Sequence, residues 1–458
     1  MHDLTTGSIT RHLLRTGGFM LVTMVFQTLY LLVDLYWVGH LGKEAVAGVS
    51  VAGNLTFIVL AVTQMLAVGA TTTIAHAAGQ RNQPLAQTMF KQSLMLAGLV
   101  GGLFVILATI FAEAYVGVLA ADAATATAAL DYLLWFVPAM GLQFGIVAMS
   151  AALRATGHFK PGMIVQSATI LINMILAPML MFGWPVGSPL GVAGTGLATF
   201  IAVIVGTAWL SVYFMPHDAF LHFEAGGWKP SVGAWRRMLG IGLPAGAEFA
   251  LMGVYLFIVY AVSRPFGAAA QAGFGVGLRI FQALFMPIVA LSMAAAPIAG
   301  QNVGARKADR VRQTFQIAET MAIGIALVLV VVCHIAPAAM VRVFSDDPQV
   351  VAVGEEYLRI VGWNFIAAAA VFVMGSMFQA IGNTLPSLMA SVARLVVLAI
   401  PLLILAQRPD FQLRWIWYLT IAATALQLVM ALTLLRREFR LRLPAAVTEI
   451  AEPAAVGG

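Results

Sequence analysis

The chain has few charged side chains and a single cysteine. Charged residues make up 10% of its 458 residues and hydrophobic residues 61%. A soluble domain is about 45–50% apolar and about 25% charged, so this composition excludes an ordinary water-soluble protein. Cys333 has no second cysteine to pair with, and we expect a buried, inert thiol. HExxH, GxSxG and paired intramembrane aspartates are also missing, so we predict no catalytic and no metal-binding residues.

What the chain has instead is long apolar runs. A membrane-spanning helix needs about 20 mostly apolar residues, whereas barrel strands are about ten residues of alternating character. The runs therefore predict an all-α integral membrane protein. Its twelve predicted transmembrane helices are 13–38, 47–75, 88–112, 129–152, 161–183, 190–214, 238–262, 272–298, 313–338, 353–376, 386–406 and 414–435.

The chain also contains an internal duplication. A shift of 225 positions aligns residues 11–210 with the later part of the chain without a gap, and places Gly17 on Gly242 and Arg81 on Arg306. Each copy holds six helices, an even number, so both copies enter the membrane from the same side. This pattern predicts a transporter of two lobes related by an axis along the membrane normal.

The duplication and the polar segments give the predicted domain organisation. We expect an N-lobe over 10–214, a cytoplasmic linker over 215–237, a C-lobe over 238–440 and a disordered cytoplasmic tail over 441–458.

Lysine and arginine are distributed unequally between the two sides of the membrane. The side that holds the N-terminus carries 17 of them and the opposite side 5. Under the positive-inside rule both termini are cytoplasmic, in the inner membrane of the cell. Because this asymmetry accounts for the basic composition, we do not expect the protein to bind nucleic acid. We expect it to be a monomer whose partner is the lipid bilayer.

Polar side chains within the spans are the first candidates for function, because a charge near the bilayer centre costs at least about 2.5–3.5 kcal/mol. Asp34 shares one face of the first helix with Thr23, Gln27 and Tyr30, at i, i+4, i+7 and i+11. A carboxyl group that changes its charge with its surroundings would couple proton movement to conformation. The alternative is a solvated residue at the helix end.

A second polar face lies on the fifth predicted helix. Gln166, Thr169 and Asn173 follow each other at i, i+3 and i+7. Amides orient a carboxylate or bind a cation. The alternative is a hydrogen bond between helices, worth less than about 2 kcal/mol.

The second copy has its own candidates. Glu248 and Tyr255 share a face of the seventh helix, Arg279 and Gln282 lie on the eighth, and Arg394 lies on the eleventh. A structural ion pair between Glu248 and Arg279 is the alternative to a transport role.

Several motifs together resemble the multidrug and toxic compound extrusion (MATE) family, over about residues 10–440. They are Asp34–Gly42 with Ala45–Gly48, Leu153–Gly157 with Pro161, Gly191–Thr199, Pro297–Ala305, and Phe378–Gly382 with Pro386. The resemblance implies a V-shaped, two-lobe antiporter of the cytoplasmic membrane. Such a protein exports cationic or amphiphilic compounds in exchange for H⁺ or Na⁺, with no other cofactor.

The resemblance also assigns roles. Asp34 stands where the family has its coupling acid, and Asn173 and Thr199 match residues beside it. Ala177 departs from relatives that carry a second acid at that position, which favours protons over sodium. Glu248 is then expected to be the only deep acid of the C-lobe.

A flippase for lipid-linked precursors, from the same superfamily, is the alternative function. It would need basic side chains in its cavity to meet a pyrophosphate, and only Arg279 and Arg394 qualify.

Overall fold

A computed structural model describes residues 2–184, 187–216, 219–224 and 226–443. These residues form fifteen α-helices and one short 3₁₀ helix at Arg264–Phe266. The helices are α1 (Ile9–Gly39), α2 (Lys43–Gly53), α3 (Leu55–Gly79), α4 (Gln83–Leu119), α5 (Ala123–Ala155), α6 (Phe159–Phe182), α7 (Val192–Val212), α8 (Val232–Ser263), α9 (Ala268–Gly304), α10 (Ala308–Ile335), α11 (Pro337–Arg342), α12 (Pro348–Val361), α13 (Asn364–Ile381), α14 (Leu385–Leu405) and α15 (Arg414–Arg442).

The predicted twelve-helix membrane fold is confirmed. Among the described residues, eleven helices are long and apolar enough to span a membrane. The remaining span is α1, whose 31 residues extend about 46 Å at the α-helical rise. The second span is divided at Asn54 into α2 and α3, and the tenth is divided at Gly362 and Trp363 into α12 and α13.

Two predicted boundaries differ from the helices. α8 begins at Val232, within the segment predicted as linker, and α15 continues to Arg442, within the segment predicted as disordered tail. Residues 444–458 of that tail lie outside the described residues.

The duplication is visible in the backbone as well as in the sequence. Arg81 and Arg306 have φ values of 55° and 56°, a left-handed conformation that is costly for residues other than glycine. The 225-residue shift relates these two positions, and it also relates the left-handed Gly42 to Gly267 and Gly157 to Gly382. The two copies therefore use the same turns to connect their helices.

Glycines let the two lobes approach closely. α3 packs against α8 and α9 of the other lobe, and α1 packs both against α6 in its own lobe and against α9. A Cβ atom on Gly69 would lie 2.5 Å from the Met238 carbonyl oxygen, and one on Gly242 would collide with the carbonyl of Met65. α1 thus lies between the lobes and contacts both.

The lobes meet in a seam at the end of the bundle where the chain starts, formed by residues 2–7, 72–82, 155–157, 300–307 and 379–382. The His76 Nε2–H donates to the Ala380 carbonyl at 2.6 Å, and the Gln301 side-chain amide donates to the Ala155 carbonyl at 2.8 Å. Outside this seam, the Thr28 hydroxyl of α1 donates to the Met286 sulfur of α9 at 3.7 Å. The lobes are therefore closed at the seam.

The N-terminal segment crosses the seam and binds both lobes. On the N-lobe side Asp3 pairs with Arg81 at 3.3 Å. On the C-lobe side the Leu4 amide donates to Gln301 Oε1 at 3.0 Å, and the Lys307 ammonium donates to the Thr5 carbonyl at 2.9 Å. Leu4 is 1% exposed. Burial raises the pKa of Asp3, but hydrogen bonds from Thr5 and the nearby Arg81 charge outweigh it and leave the pKa below its usual value.

We expect Gly79→Ala to loosen the seam. The added Cβ would collide with the Gln301 carbonyl on α9, and overpacking of this kind costs about 1–3 kcal/mol. The thermal unfolding midpoint of the purified protein should fall by several degrees. Gly98→Ala is the matched control, because nothing lies within 4 Å of its added Cβ. An unchanged midpoint in Gly79→Ala would contradict this close approach of α3 and α9.

Candidate functional site

Asp34, Asn173 and Thr199 come together in the N-lobe, from three different helices. The Thr195 hydroxyl on α7 donates to Asp34 Oδ1 of α1 at 3.1 Å. One turn further along α7, Thr199 Oγ1 accepts from the Asn173 amide of α6 at 2.9 Å. Thr195, Thr199 and Asn173 are 1%, 8% and 4% exposed, so the cluster that Asp34 joins is largely enclosed.

One acceptor in this cluster is left without a donor. Asn173 Oδ1 is buried and has no hydrogen-bond partner within the described part of the chain. Because an unpaired buried acceptor costs about 1–3 kcal/mol, Asn173 Oδ1 would be stabilised by a hydrogen-bond donor.

Small residues bring α7 into position for these contacts. A Cβ on Gly194 would lie 2.7 Å from the Leu180 backbone of α6, and one on Gly196 would lie 2.7 Å from the Tyr132 carbonyl of α5. These glycines therefore let α7 pack closely against α5 and α6. Tyr30 of α1 faces Thr199 from the same side as Asp34.

The other members of the two predicted polar faces lie elsewhere. Thr23 and Gln166 line a separate cavity of about 20 Å³, which has room for about one water molecule. Gln27 is exposed. The Thr169 hydroxyl donates to the Val165 carbonyl of its own helix at 2.8 Å.

Thr195 was not predicted as a site residue. A signal for it exists, because Thr195 precedes Thr199 by one helical turn and the duplication places Thr420 and Thr424 at the equivalent positions.

In the C-lobe, the ion pair considered for Glu248 and Arg279 is wrong. Glu248 faces Ser387 of α14, its Oε1 is buried, and no partner for that atom is present among the described residues. Arg279 and Gln282 are both exposed on α9. The helix rotations direct these side chains away from each other, and spacing along one helix does not determine such rotations.

A second C-lobe acid corrects another expectation. Glu319 is half-buried on α10, eleven residues or about 16 Å from the helix start, and its Oε2 has no hydrogen-bond partner in the described chain. Glu248 is therefore not the only deep acid of this lobe.

Arg394 contacts Tyr255, another predicted residue. Its guanidinium carbon lies 5.3 Å from the centroid of the Tyr255 ring, a cation–π geometry. One turn earlier on α14, the Ser391 hydroxyl accepts from Gln427 of α15 at 3.0 Å.

Comparisons with known proteins agree with this architecture. The MatE family model matches the chain twice, over residues 20–179 and 244–405. The chain is 23% identical to a FAD transporter of Shewanella oneidensis, covering 89% of this chain and 90% of that protein. It is 25% identical to the probable multidrug resistance protein NorM of Thermotoga maritima, covering 79% of this chain and 78% of that protein. It is 24% identical to the multidrug export protein MepA of Staphylococcus haemolyticus, covering 88% of each.

Solved structures show the same fold. An outward-facing multidrug resistance MATE transporter of the MOP superfamily superposes with a TM-score of 0.88 at 21% identity, covering 96% of this chain and 98% of that one. A MOP superfamily transporter from Pyrococcus furiosus superposes with a TM-score of 0.87 at 22% identity and the same coverage. The two family matches, one in each half of a twelve-helix membrane protein, show that this chain belongs to the MatE family of multi-pass membrane transporters.

Proposed function

We propose that the protein is a secondary active antiporter, which exports cationic or amphiphilic drugs in exchange for H⁺ or Na⁺. The observation that supports this most is that Asp34 and Asn173 bond to threonines one turn apart on α7, Thr195 and Thr199, and that the buried acceptor Asn173 Oδ1 lacks a donor. Protonation would turn Asp34 from an acceptor into a donor. A sodium ion would instead take carboxylate, amide and hydroxyl oxygens as ligands. Because Ala177 supplies no second carboxylate, the site fits a proton better.

The position of α1 supports a link between this site and the lobes. α1 carries Asp34, which accepts from Thr195 of its own lobe, and α1 also packs against α9 of the other lobe, where Gly17 lies beside Leu291. Loss of the charge at Asp34 would weaken the hydrogen bond from Thr195, because bonds to charged groups are the stronger ones. In this proposal α1 then repacks, the lobes rock, and the substrate leaves on the opposite side.

The charge distribution supports an orientation for this cycle. The side with 17 lysines and arginines is also the side of the seam, so we place the seam and both termini in the cytoplasm. The closed seam then corresponds to an outward-open state of a monomer. The membrane potential adds about 2.3 kcal/mol for each charge moved through 100 mV.

Uptake into proteoliposomes tests this function. We expect vesicles with an acidic interior to accumulate the fluorescent cation ethidium several-fold above vesicles without a gradient, because outward proton flow drives inward exchange. A sodium gradient at constant pH should give no accumulation. Protein-free vesicles are the control for passive ethidium entry. Accumulation that is independent of both gradients would contradict antiport, and accumulation driven by sodium alone would contradict the preference for protons.

The comparisons do not favour the flippase alternative. A pyrophosphate would need several basic groups in one cavity, but Arg279 is exposed on α9 and Arg394 lies on α14 against Tyr255.

A further inference from the structure

The duplication allows the polar clusters of the two lobes to be compared position by position. Both lobes keep the same hydroxyl-bearing framework. The equivalent pairs are Tyr30 with Tyr255, Tyr132 with Tyr357, Thr195 with Thr420, and Thr199 with Thr424. In the C-lobe, Tyr255 faces Thr420. In the N-lobe, Tyr30 faces Thr199, one helical turn beyond the position equivalent to Thr420.

The charges on this shared framework are opposite in the two lobes. The position of Asp34 is occupied by Val259 in the C-lobe, and Arg394 occupies the position that Thr169 has in the N-lobe. The N-lobe cluster therefore carries a carboxylate, whereas the C-lobe cluster carries a guanidinium.

Arg394 has no ion-pair partner to explain its place in the membrane. It is half-buried, nine residues or about 14 Å from the start of α14. In the described chain, none of the ion pairs within 4.0 Å includes it. Glu248 is the acid on the facing helix, but it precedes Tyr255 by seven residues, about 10 Å along α8, and faces Ser387 instead.

The contact with the Tyr255 ring is a cation–π contact through the guanidinium carbon, 5.3 Å from the ring centroid. The N–H groups of a guanidinium lie in its plane and match the two oxygens of a carboxylate or phosphate. A charged side chain within the membrane that faces no partner is a functional site by default. The ligand that would pair with this guanidinium is an anion.

We propose that Arg394, with Tyr255 and Thr420, forms a C-lobe site for an anionic group carried by the transported amphiphile. This inference rests on the proposed export function and adds a preference among its substrates: aromatic compounds that bear a carboxylate or phosphate bind more tightly than cations that lack one, such as ethidium. The ion-coupling cluster and the substrate-anion site then lie in different lobes and share the equivalent residues Tyr30 and Tyr255, and Thr195 and Thr420.

Two rhodamines that differ at one group test this site. Rhodamine 110 carries a free carboxylate, and rhodamine 123 is its methyl ester. We expect the purified full-length protein, in fluorescence anisotropy titrations, to bind the acid at least tenfold more tightly than the ester. Arg394→Gln should weaken binding of the acid at least tenfold and of the ester less than twofold. Arg394→Lys keeps the charge and should retain most of the preference.

Arg342→Gln is the matched control, because it removes an exposed arginine at the end of α11 in the same lobe and should change neither affinity. Equal affinities of the wild-type protein for the two dyes, no binding of the acid, or an equal loss for both dyes in Arg394→Gln would each overturn the proposal. These titrations need no ion gradient, so a failure of gradient-driven transport would count against the proposed function and leave this result intact.

Discussion

Asp34→Asn is expected to abolish gradient-driven ethidium transport, with a fall in the initial rate of at least about tenfold, or about 1.4 kcal/mol. Asparagine keeps the size of the side chain and an oxygen that accepts from Thr195, but it neither gains nor loses a proton. The N-lobe cluster would keep its shape and lose its exchange with the coupling ion. The measurement is ethidium accumulation in proteoliposomes under an imposed pH gradient.

Asp131→Asn is the control for this variant. It makes the same chemical change at an exposed carboxylate on α5 and should leave the rate within about twofold of the wild type, as expected for a surface substitution. Full gradient-driven transport by Asp34→Asn would show that Asp34 is not required for coupling.

A disulfide that locks the seam should stop transport as completely as Asp34→Asn does. A Cβ built on Gly300 lies 3.2 Å from the Ala75 Cβ, close to the separation of about 3.5–4.5 Å that a disulfide requires. The double variant Ala75→Cys with Gly300→Cys should therefore form a disulfide between α3 and α9 on oxidation. Transport should fall to less than about a tenth of the reduced value and return with dithiothreitol, because alternating access requires the lobes to separate there.

Each single cysteine variant provides a control, since neither can form this bond and both should transport equally with and without oxidant. The native Cys333 is fully buried and does not compete. Mass spectrometry reports the fraction of cross-linked protein. A fully cross-linked protein that still transports would show that the seam does not open during the cycle, and a pair that never cross-links would contradict the contact between α3 and α9.

The fold could be predicted from the sequence because it depends on local and repeated features. Twelve apolar runs and a constant 225-residue shift are properties of the chain itself, and the left-handed turns at Arg81 and Arg306 repeat with the same shift. The breaks at Asn54 and Gly362 could not be predicted from hydropathy, because apolar residues lie on both sides of them.

The N-lobe site was partly predictable. Asp34, Asn173 and Thr199 are polar residues in apolar helices, and the family resemblance grouped them. Thr195 was missed because a threonine in a helix commonly bonds to a carbonyl of its own helix, and only the packing of α7 against α1 directs this one to Asp34.

The contacts between helices, within a lobe and between lobes, were the least predictable part. The pairing of Glu248 with Arg279 failed because each side chain's direction depends on how α8 and α9 are rotated within the bundle. The segment around Asp3 and Leu4 has no helical periodicity, and its role in the seam arises only from tertiary contacts with Arg81 and Gln301.

Ion release on substrate binding tests the central role of Asp34 most directly. Purified protein in weakly buffered detergent solution is mixed with ethidium while a pH indicator reports free protons. We predict that the wild-type protein releases about one proton for each bound ethidium, and that Asp34→Asn binds ethidium and releases none. Equal proton release by the two proteins would contradict the account, because the exchanging group would then lie elsewhere.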